Sequence, residues 1–177
     1  IIIYINNKMN HYDLIIIGSG ISGISLARWS KYKYKTIVLE KSKYIGGCWL
    51  NKSYQNVRLQ TSKDIYNYSD ASHSKNTSKY PSNIEILDYL KSYCDKHDLF
   101  DLIYFNQEVV NAEWCKKNKC WMITKIDLNT NSKTTLYSKY LGICTGYYNN
   151  SYIPEIFKKQ KNFQGKIVHS KQFSLFN

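Results

Sequence analysis

The sequence predicts an α/β fold with a central parallel sheet, an inserted helical segment and an antiparallel β-meander. Two short apolar runs, at residues 13–17 and 36–40, lack polar alternation and indicate strands covered on both faces. A glycine-rich turn and a helical stretch lie between the two runs. Three further β-prone stretches follow in the second half of the chain and predict the meander.

The first predicted unit has the order strand, turn, helix, strand. Residues 13–17 (DLIII) form the first buried strand, and residues 18–23 (GSGISG) form the turn after it. Residues 36–40 (TIVLE) are a second buried strand that ends in an acid. The helix between the strands is predicted from four apolar or aromatic residues at nearly helical spacing, Ile24, Leu26, Ala27 and Trp29.

An irregular connection and one helix are predicted next. Residues 51–82 are rich in Ser, Asn, Lys and Tyr without a clear period, so we expect at most one short helix there. From Asn83, apolar residues return at helical spacing as far as Cys94. Ser82 or Asn83 can cap this helix, which we expect to end near His97.

The meander is predicted from three stretches with high β-propensity. They are Val109–Trp114, Cys120–Asp127 and Thr134–Tyr140, and polar links join them. The last stretch continues into residues 141–146 (LGICTG), which indicate a further strand that ends in a glycine.

The glycine-rich turn has the features that a dinucleotide pyrophosphate requires. Gly18 permits a tight turn, Gly20 lets backbone N–H groups approach the phosphates, and Gly23 lets the helix pack closely on the sheet. The helix that begins near Ile21 would point its unpaired N–H groups and the positive end of its dipole at the phosphates. We therefore predict cofactor contacts from the whole turn, Gly18, Ser19, Gly20, Ile21, Ser22 and Gly23.

Glu40 stands at the end of the second predicted strand. A carboxylate at this position can accept hydrogen bonds from both ribose hydroxyls of an adenosine. It also repels a 2′-phosphate, so NADP is not expected as the ligand of this unit.

Glu40-Lys41 is followed after three residues by Ile45-Gly46-Gly47-Cys48-Trp49. This segment resembles the one after the second strand in flavin-containing monooxygenases, where the glycine pair lets the chain run past the flavin end of FAD. Three later segments carry the same resemblance. Residues 56–70 (NVRLQTSKDIYNYSD) are similar to the active-site loop of the family, residues 144–147 (CTGY) to the strand that returns to FAD, and residues 163–173 (FQGKIVHSKQF) to its identifying motif.

The resemblance implies a Rossmann-like FAD-binding domain in an NADPH-dependent monooxygenase. Such an enzyme forms a C4a-hydroperoxyflavin with O₂ and oxygenates a soft nucleophile such as an amine or a sulfide. Gln60 aligns with an Asn that supports the peroxyflavin in animal-type members, so it is the candidate catalytic residue, although its side chain is one methylene longer. The resemblance also implies FAD contacts from Glu40, Lys41, Gly47, Cys48, Trp49, Gln60, Thr61, Val110, Thr145 and Gly146, and no metal site.

The length of 177 residues predicts only part of such an enzyme. The family would begin its second glycine-rich unit, which binds NADPH, where this sequence stops. We therefore expect residues 9–177 to be an FAD-binding domain truncated before the NADPH-binding domain, and residues 1–8 to be a disordered or non-native leader. Two alternatives stay open, a fragment with a separately encoded NADPH-binding half and an inactive FAD-binding module or split-gene remnant.

Composition limits the remaining partners. The net charge of +12 suits a polyanion, but lysines are scattered along the chain and Arg28 and Arg58 are the only arginines, so no specific nucleic-acid role is expected. The expected partners are a small-molecule substrate and O₂. No apolar stretch is long enough to span a bilayer.

Cysteine usage indicates a reducing compartment. The five cysteines form no Cys-x-x-Cys pair, which argues against a zinc site and against a disulfide framework. We therefore expect a cytoplasmic protein with free thiols at Cys48, Cys94, Cys115, Cys120 and Cys144.

Overall fold

The protein is described by a computed structural model that covers residues 10–51, 54, 56–147, 151–158, 162–170 and 172. The predicted leader at residues 1–8 lies outside these residues. The described helices and strands are β1 (His11–Ile17), α1 (Ile21–Ser30), β2 (Thr36–Leu39), α2 (Cys48–Asn51), α3 (Asn83–Lys96), β3 (Ile103–Tyr104), β4 (Gln107–Cys115), β5 (Cys120–Asp127), β6 (Lys133–Ile143) and α4 (Glu155–Lys158).

The strands form one six-stranded sheet in the order β3-β2-β1-β6-β5-β4. The strands β3, β2, β1 and β6 run parallel to one another. The strands β6, β5 and β4 form the antiparallel meander. The predicted α/β fold with a parallel sheet, an inserted helix and a meander is confirmed.

β6 joins the two parts of the sheet. Residues 133–138 pair with β5, and residues 137–143 pair with β1, so the strand is continuous across Tyr140 and Leu141. The third predicted stretch of the meander and the strand predicted after it are therefore one element. Its length lets the meander turn over one face of the parallel sheet.

Alternate residues of the buried strands face two different cores. One core contains Leu14, Ile16 and Val38 of the sheet, together with residues of α1 and α3, Ile24, Ala27, Ile86 and Leu90. The other core lies against the meander and contains Ile15, Ile37, Leu39, Ile123 and Leu136. Because both faces of β1 and β2 are covered, both strands have apolar residues without alternation.

The connection between α2 and α3 is mostly irregular, as predicted, with one 3₁₀ turn at Lys63–Ile65. Two contacts hold it against α1. The Tyr68 hydroxyl donates to the Ile21 carbonyl at 2.7 Å, and the Asp70 carboxylate lies 3.4 Å from the Arg28 Nε. Among the described residues, no helix is both long and apolar enough to cross a bilayer.

α3 begins with a capping box. The Ser82 hydroxyl accepts from the Glu85 N–H, and the Glu85 carboxylate accepts from the Ser82 N–H. The predicted start of this helix and its end near His97 are confirmed, with Ser82 as the cap.

The capping box also predicts part of the acid sensitivity of the fold. Hydrogen bonds from the backbone N–H groups of Ser78 and Ser82 lower the pKa of Glu85 from 4.5 to about 2. A carboxyl group whose pKa is lowered in the folded state stabilises the fold above its unfolded pKa, and this stabilisation is lost as the pH falls from 4.5 to about 2. We therefore expect Glu85→Gln to lower the free energy of unfolding at pH 7 and to flatten its dependence on pH below 4.5.

Urea unfolding at pH 7 and in the acid range measures this effect. Asp88→Asn removes the same charge from an exposed position of the same helix and serves as the control. If the Glu85→Gln variant is as sensitive to acid as the Asp88→Asn control, the capping carboxylate does not account for the acid sensitivity of the fold.

Candidate dinucleotide site

A cleft of about 560 Å³ opens at the carboxyl ends of β1, β2 and β6. It lies where the strand order reverses, since β2 and β6 flank β1 on opposite sides. In open α/β sheets this switch point is where ligands bind. The start of α1, the glycine pair before α2 and the start of β4 complete its walls.

The three glycines of the turn have different structural roles. Gly18 has a φ of +98°, and a Cβ added to it would stand 2.6 Å from the Cys144 carbonyl oxygen. A Cβ on Gly23 would stand 1.9 Å from the Gly18 carbonyl oxygen, so α1 could not pack as closely on β1. Gly20 has a φ of −75° and more space, since Gly47 Cα, the nearest atom to an added Cβ, would be 3.7 Å away.

The first turn of α1 faces the cleft without a side-chain cap. Gly20 is the N-cap, and no acidic residue stands in the first turn. N–H groups of a first helical turn have no intrahelical acceptor, and Ile21 and Ser22 line the cleft. The positive end of the helix dipole is therefore free to meet a negatively charged group.

Glu40 is buried beside this turn, with 7% of its surface exposed. One carboxylate oxygen accepts from the Ser19 N–H at 2.7 Å and from the Ser19 hydroxyl at 2.8 Å. The other oxygen accepts from the Ser42 N–H at 2.7 Å. These bonds connect the glycine turn to the end of β2 and hold the carboxylate at the wall of the cleft.

The opposite wall comes from the start of β4. The Lys41 ammonium lies 2.6 Å from a Glu108 carboxylate oxygen, so an ion pair joins the end of β2 to β4. The Gln107 side chain is held by a donated hydrogen bond to Asp127 at 2.8 Å. A β-bulge then follows, because the pairing of β4 with β5 shifts between Val109 and Asn111.

The structure brings most of the predicted cofactor residues together around this cleft. Ser19 and Gly23 are buried behind its wall, where Ser19 holds Glu40 and Gly23 packs α1 on the turn. The predicted residues that line the cleft are Gly18, Gly20, Ile21, Ser22, Glu40, Lys41, Gly47, Cys48, Thr145 and Gly146.

Four other predicted residues do not line the cleft. The Trp49 indole donates to the Tyr66 hydroxyl at 2.8 Å, which turns it toward the irregular connection. Gln60 and Thr61 are exposed on that connection. Val110 is exposed at the bulge, whereas the adjacent Val109 lines the cleft. Their cofactor contacts, and the catalytic role of Gln60, stay predictions.

Gly46, Cys144 and Tyr147 of the cleft belong to segments that the sequence already linked to FAD. The sequence did not identify the other residues of the cleft, Ile17, Leu39, Ser42, Gln107, Glu108 and Val109. Ile17 and Leu39 are the last residues of the two buried strands. Because ligands bind at the carboxyl ends of such strands, the sequence could have predicted that these two residues line the cleft. Gln107–Val109 carry no motif, and they reach the cleft because the Gln107 N–H donates to the Glu40 carbonyl at the end of β2.

The segment with the predicted identifying motif is only partly described. Phe163 is exposed, and the Gln172 N–H donates to the His169 carbonyl at 2.8 Å. Phe173 lies outside the described residues. The described residues of this motif are not among those that line the cleft, so its role also stays a prediction.

Comparison with protein families finds one model that matches nearly the whole chain. The model describes flavin-binding monooxygenase-like proteins, and it matches residues 12–176. Among curated proteins, the probable FAD-binding monooxygenase AlmA of Acinetobacter sp. is 33% identical over 162 residues, which cover 89% of this chain and 32% of that protein. The probable indole-3-pyruvate monooxygenase YUCCA1 of Arabidopsis thaliana is 32% identical over 90% of this chain and 37% of its own length.

Solved structures show the same likeness. OTEMO in complex with FAD and NADP superposes with a TM-score of 0.73 at 25% identity, over 90% of this chain and 30% of that one. Tmm from Pelagibacter sp. strain HTCC7211 superposes with a TM-score of 0.79 over 91% of this chain and 42% of that one. Its identity is 24%, so this second match supports the fold alone. The chain thus spans about a third of the length of the two curated relatives.

Proposed function

Because the chain belongs to the flavin-binding monooxygenase-like family, we propose that it is the FAD-binding part of a flavin-dependent monooxygenase. One arrangement carries this proposal. The glycine turn, the uncapped start of α1 and the buried carboxylate of Glu40 meet at one cleft. These are the groups that a dinucleotide needs at its pyrophosphate and at its adenosine ribose.

The residues of the cleft suggest an orientation for FAD. The pyrophosphate would accept hydrogen bonds from the N–H groups at the start of α1, beside Gly20. The adenosine ribose would donate to the Glu40 oxygen that accepts from Ser42, because this oxygen keeps an acceptor site, whereas the other oxygen already accepts two hydrogen bonds from Ser19. The flavin end would then extend past Gly47 toward Gly146.

The proposed reaction is oxygenation of a small nucleophile, such as an amine or a sulfide, with NADPH and O₂. FAD would supply the electron transfer and the activation of O₂, and the protein would bind the cofactor, orient it and limit water access. We propose Gln60 as the residue that offers an amide to the oxygen-transfer site. The NADPH-binding part is proposed to lie in polypeptide beyond this sequence, in a longer form of the chain or in a separate chain.

A binding module without oxygenase activity is the second candidate. The exposed position of Gln60 outside the cleft lining favours it. In this case the chain would hold FAD through the same turn and the same carboxylate, and oxygen transfer would not follow.

The visible spectrum of the purified chain tests the proposal. After gel filtration removes free flavin, we expect a bound flavin spectrum that dithionite bleaches and NADPH alone does not. Heat release followed by chromatography should identify FAD rather than FMN, because FMN lacks the adenosine that Glu40 would bind. A colourless chain that stays colourless after addition of FAD would contradict the proposal.

A separate measurement distinguishes the two candidates. The reduced, FAD-loaded chain is mixed with O₂ and an organic sulfide, and the sulfoxide is quantified. Sulfoxide that disappears in Gln60→Ala but remains in Asn67→Ala, an exposed change on the same connection, supports the oxygenase. FAD binding without sulfoxide supports the binding module.

A further inference from the structure

The β4–β5 hairpin places two cysteines directly opposite each other. Cys115 is the last residue of β4, Cys120 is the first residue of β5, and the register pairs them. Opposite residues of antiparallel strands have Cα atoms about 4.5–5.5 Å apart, which lies within the range of about 4.4–6.8 Å found for disulfide-bonded cysteines. Both thiols are free in the structure.

The neighbouring pair shows which face of the sheet the two cysteines occupy. Trp114 and Trp121 are also register partners, with ring centroids 5.6 Å apart, and Trp121 packs against the core beneath the meander. Side chains of successive residues point to opposite faces of a sheet. Cys115 and Cys120 therefore lie on the outer face, where each is partly exposed and a small oxidant can reach them.

The two thiols also interact electrostatically. Burial raises the pKa of Cys120, and the neighbouring charge of Cys115 raises it further. A raised pKa leaves less of the Cys120 sulfur as the attacking thiolate. The other three cysteines differ from this pair. Cys48 is exposed at the cleft, Cys94 is buried, and Cys144 follows the end of β6.

We propose that Cys115 and Cys120 form an oxidation site at which a hydroperoxide converts the two thiols into a disulfide across the hairpin. The Cys115 thiolate attacks one oxygen of the O–O bond and becomes a sulfenic acid, while the other oxygen leaves with the thiol proton, as water when the oxidant is hydrogen peroxide. The Cys120 sulfur then attacks the Cys115 sulfur, and the sulfenic oxygen leaves as water with the Cys120 proton. Two thiols and one peroxide thus give one disulfide and two waters.

This site is distinct from the FAD cleft and does not depend on it. Cys115 is seven residues along β4 from Glu108, which is roughly 23 Å at 3.3 Å per residue. The disulfide would close only the short loop of residues 116–119 and would leave the register of β4 and β5 as it is. In a reducing compartment such a bond is transient and is reversed by thiol exchange.

The sequence of the loop allows a direct test. Trypsin cleaves after Lys116 and Lys119, so the two cysteines fall on separate peptides, residues 97–116 and 120–125. The folded full chain is treated with one equivalent of hydrogen peroxide, alkylated, digested without reductant and measured by mass spectrometry. We expect the two alkylated peptides to be lost and a linked pair to appear, two hydrogens lighter than the sum of the free peptides.

Two sets of variants make the test specific. Cys115→Ser and Cys120→Ser should each abolish the linked pair, whereas Cys94→Ser, which changes the buried thiol of α3, should keep it. A reductant added before digestion should restore both alkylated peptides. The proposal is overturned if peroxide leaves both thiols alkylated, if it oxidises them to unlinked sulfinic acids, or if it links either one to another cysteine or to a second chain.

Discussion

Gly23→Ala is expected to destabilise the domain by about 3 kcal/mol or more. The new Cβ would stand 1.9 Å from the Gly18 carbonyl oxygen and 3.0 Å from its carbonyl carbon. Neither atom can move away without moving β1 or α1, because both belong to backbone at the end of a buried strand. Urea unfolding followed by far-UV circular dichroism measures the loss as a lower midpoint.

Gly20→Ala is the matched control for this change. The backbone at Gly20 has a φ of −75°, and an added Cβ would meet no atom closer than 3.7 Å. The fold should therefore keep its midpoint. The methyl group would nevertheless stand at the wall of the cleft where backbone must approach a phosphate. We expect the affinity for FAD to fall about tenfold or more, corresponding to about 1.4 kcal/mol.

The pair of variants separates the role of the turn in folding from its role in binding. If Gly20→Ala lowers the unfolding midpoint as much as Gly23→Ala does, the distances to an added Cβ do not account for stability. If Gly20→Ala binds FAD as tightly as the unchanged chain, the pyrophosphate does not lie against Gly20.

The elements with strong local signals were the ones that sequence alone predicted. β1 and β2 are covered on both faces and therefore appear as unbroken apolar runs. α3 has both an apolar period and a capping box that starts at Ser82. The roles of Gly18 and Gly23 follow from turn geometry, and the distances to an added Cβ agree with them.

The remaining elements depend on tertiary contacts that no local pattern records. β3 has two residues, too few for any period, and it forms by pairing with β2. The β4 wall of the cleft depends on the hydrogen bond from the Gln107 N–H to the Glu40 carbonyl and on the ion pair between Lys41 and Glu108. The three hydrogen bonds that Glu40 accepts likewise depend on how closely the turn approaches the end of β2.

Glu40→Gln is expected to weaken both the fold and the discrimination between nucleotides. Each carboxylate oxygen now faces at least one donor from Ser19 or Ser42. A glutamine must turn its NH₂ group toward one of these donors, which leaves a buried donor without an acceptor. This costs about 2 kcal/mol of unfolding free energy, and urea unfolding measures it.

The effect on nucleotide choice is measured as a ratio of two affinities, which the loss of a structural hydrogen bond alone would not change. The negative charge of Glu40 would repel a 2′-phosphate, so the unchanged chain should prefer ADP to 2′-phospho-ADP. Glu40→Gln removes this repulsion together with a ribose acceptor. We expect weaker binding of ADP and a ratio of the two affinities that falls about tenfold, the equivalent of about 1.4 kcal/mol. Isothermal titration of both nucleotides gives the ratio directly.

Glu108→Gln tests whether position or net charge sets this preference. Glu108 also lines the cleft, and its substitution removes the same charge. It pairs with Lys41 at the opposite wall, however, and is more exposed, at 34% of its side chain. The affinity ratio should therefore stay close to that of the unchanged chain. Equal losses in the two variants would mean that the overall charge of the cleft selects the nucleotide, and Glu40 would then keep only its role in holding the glycine turn.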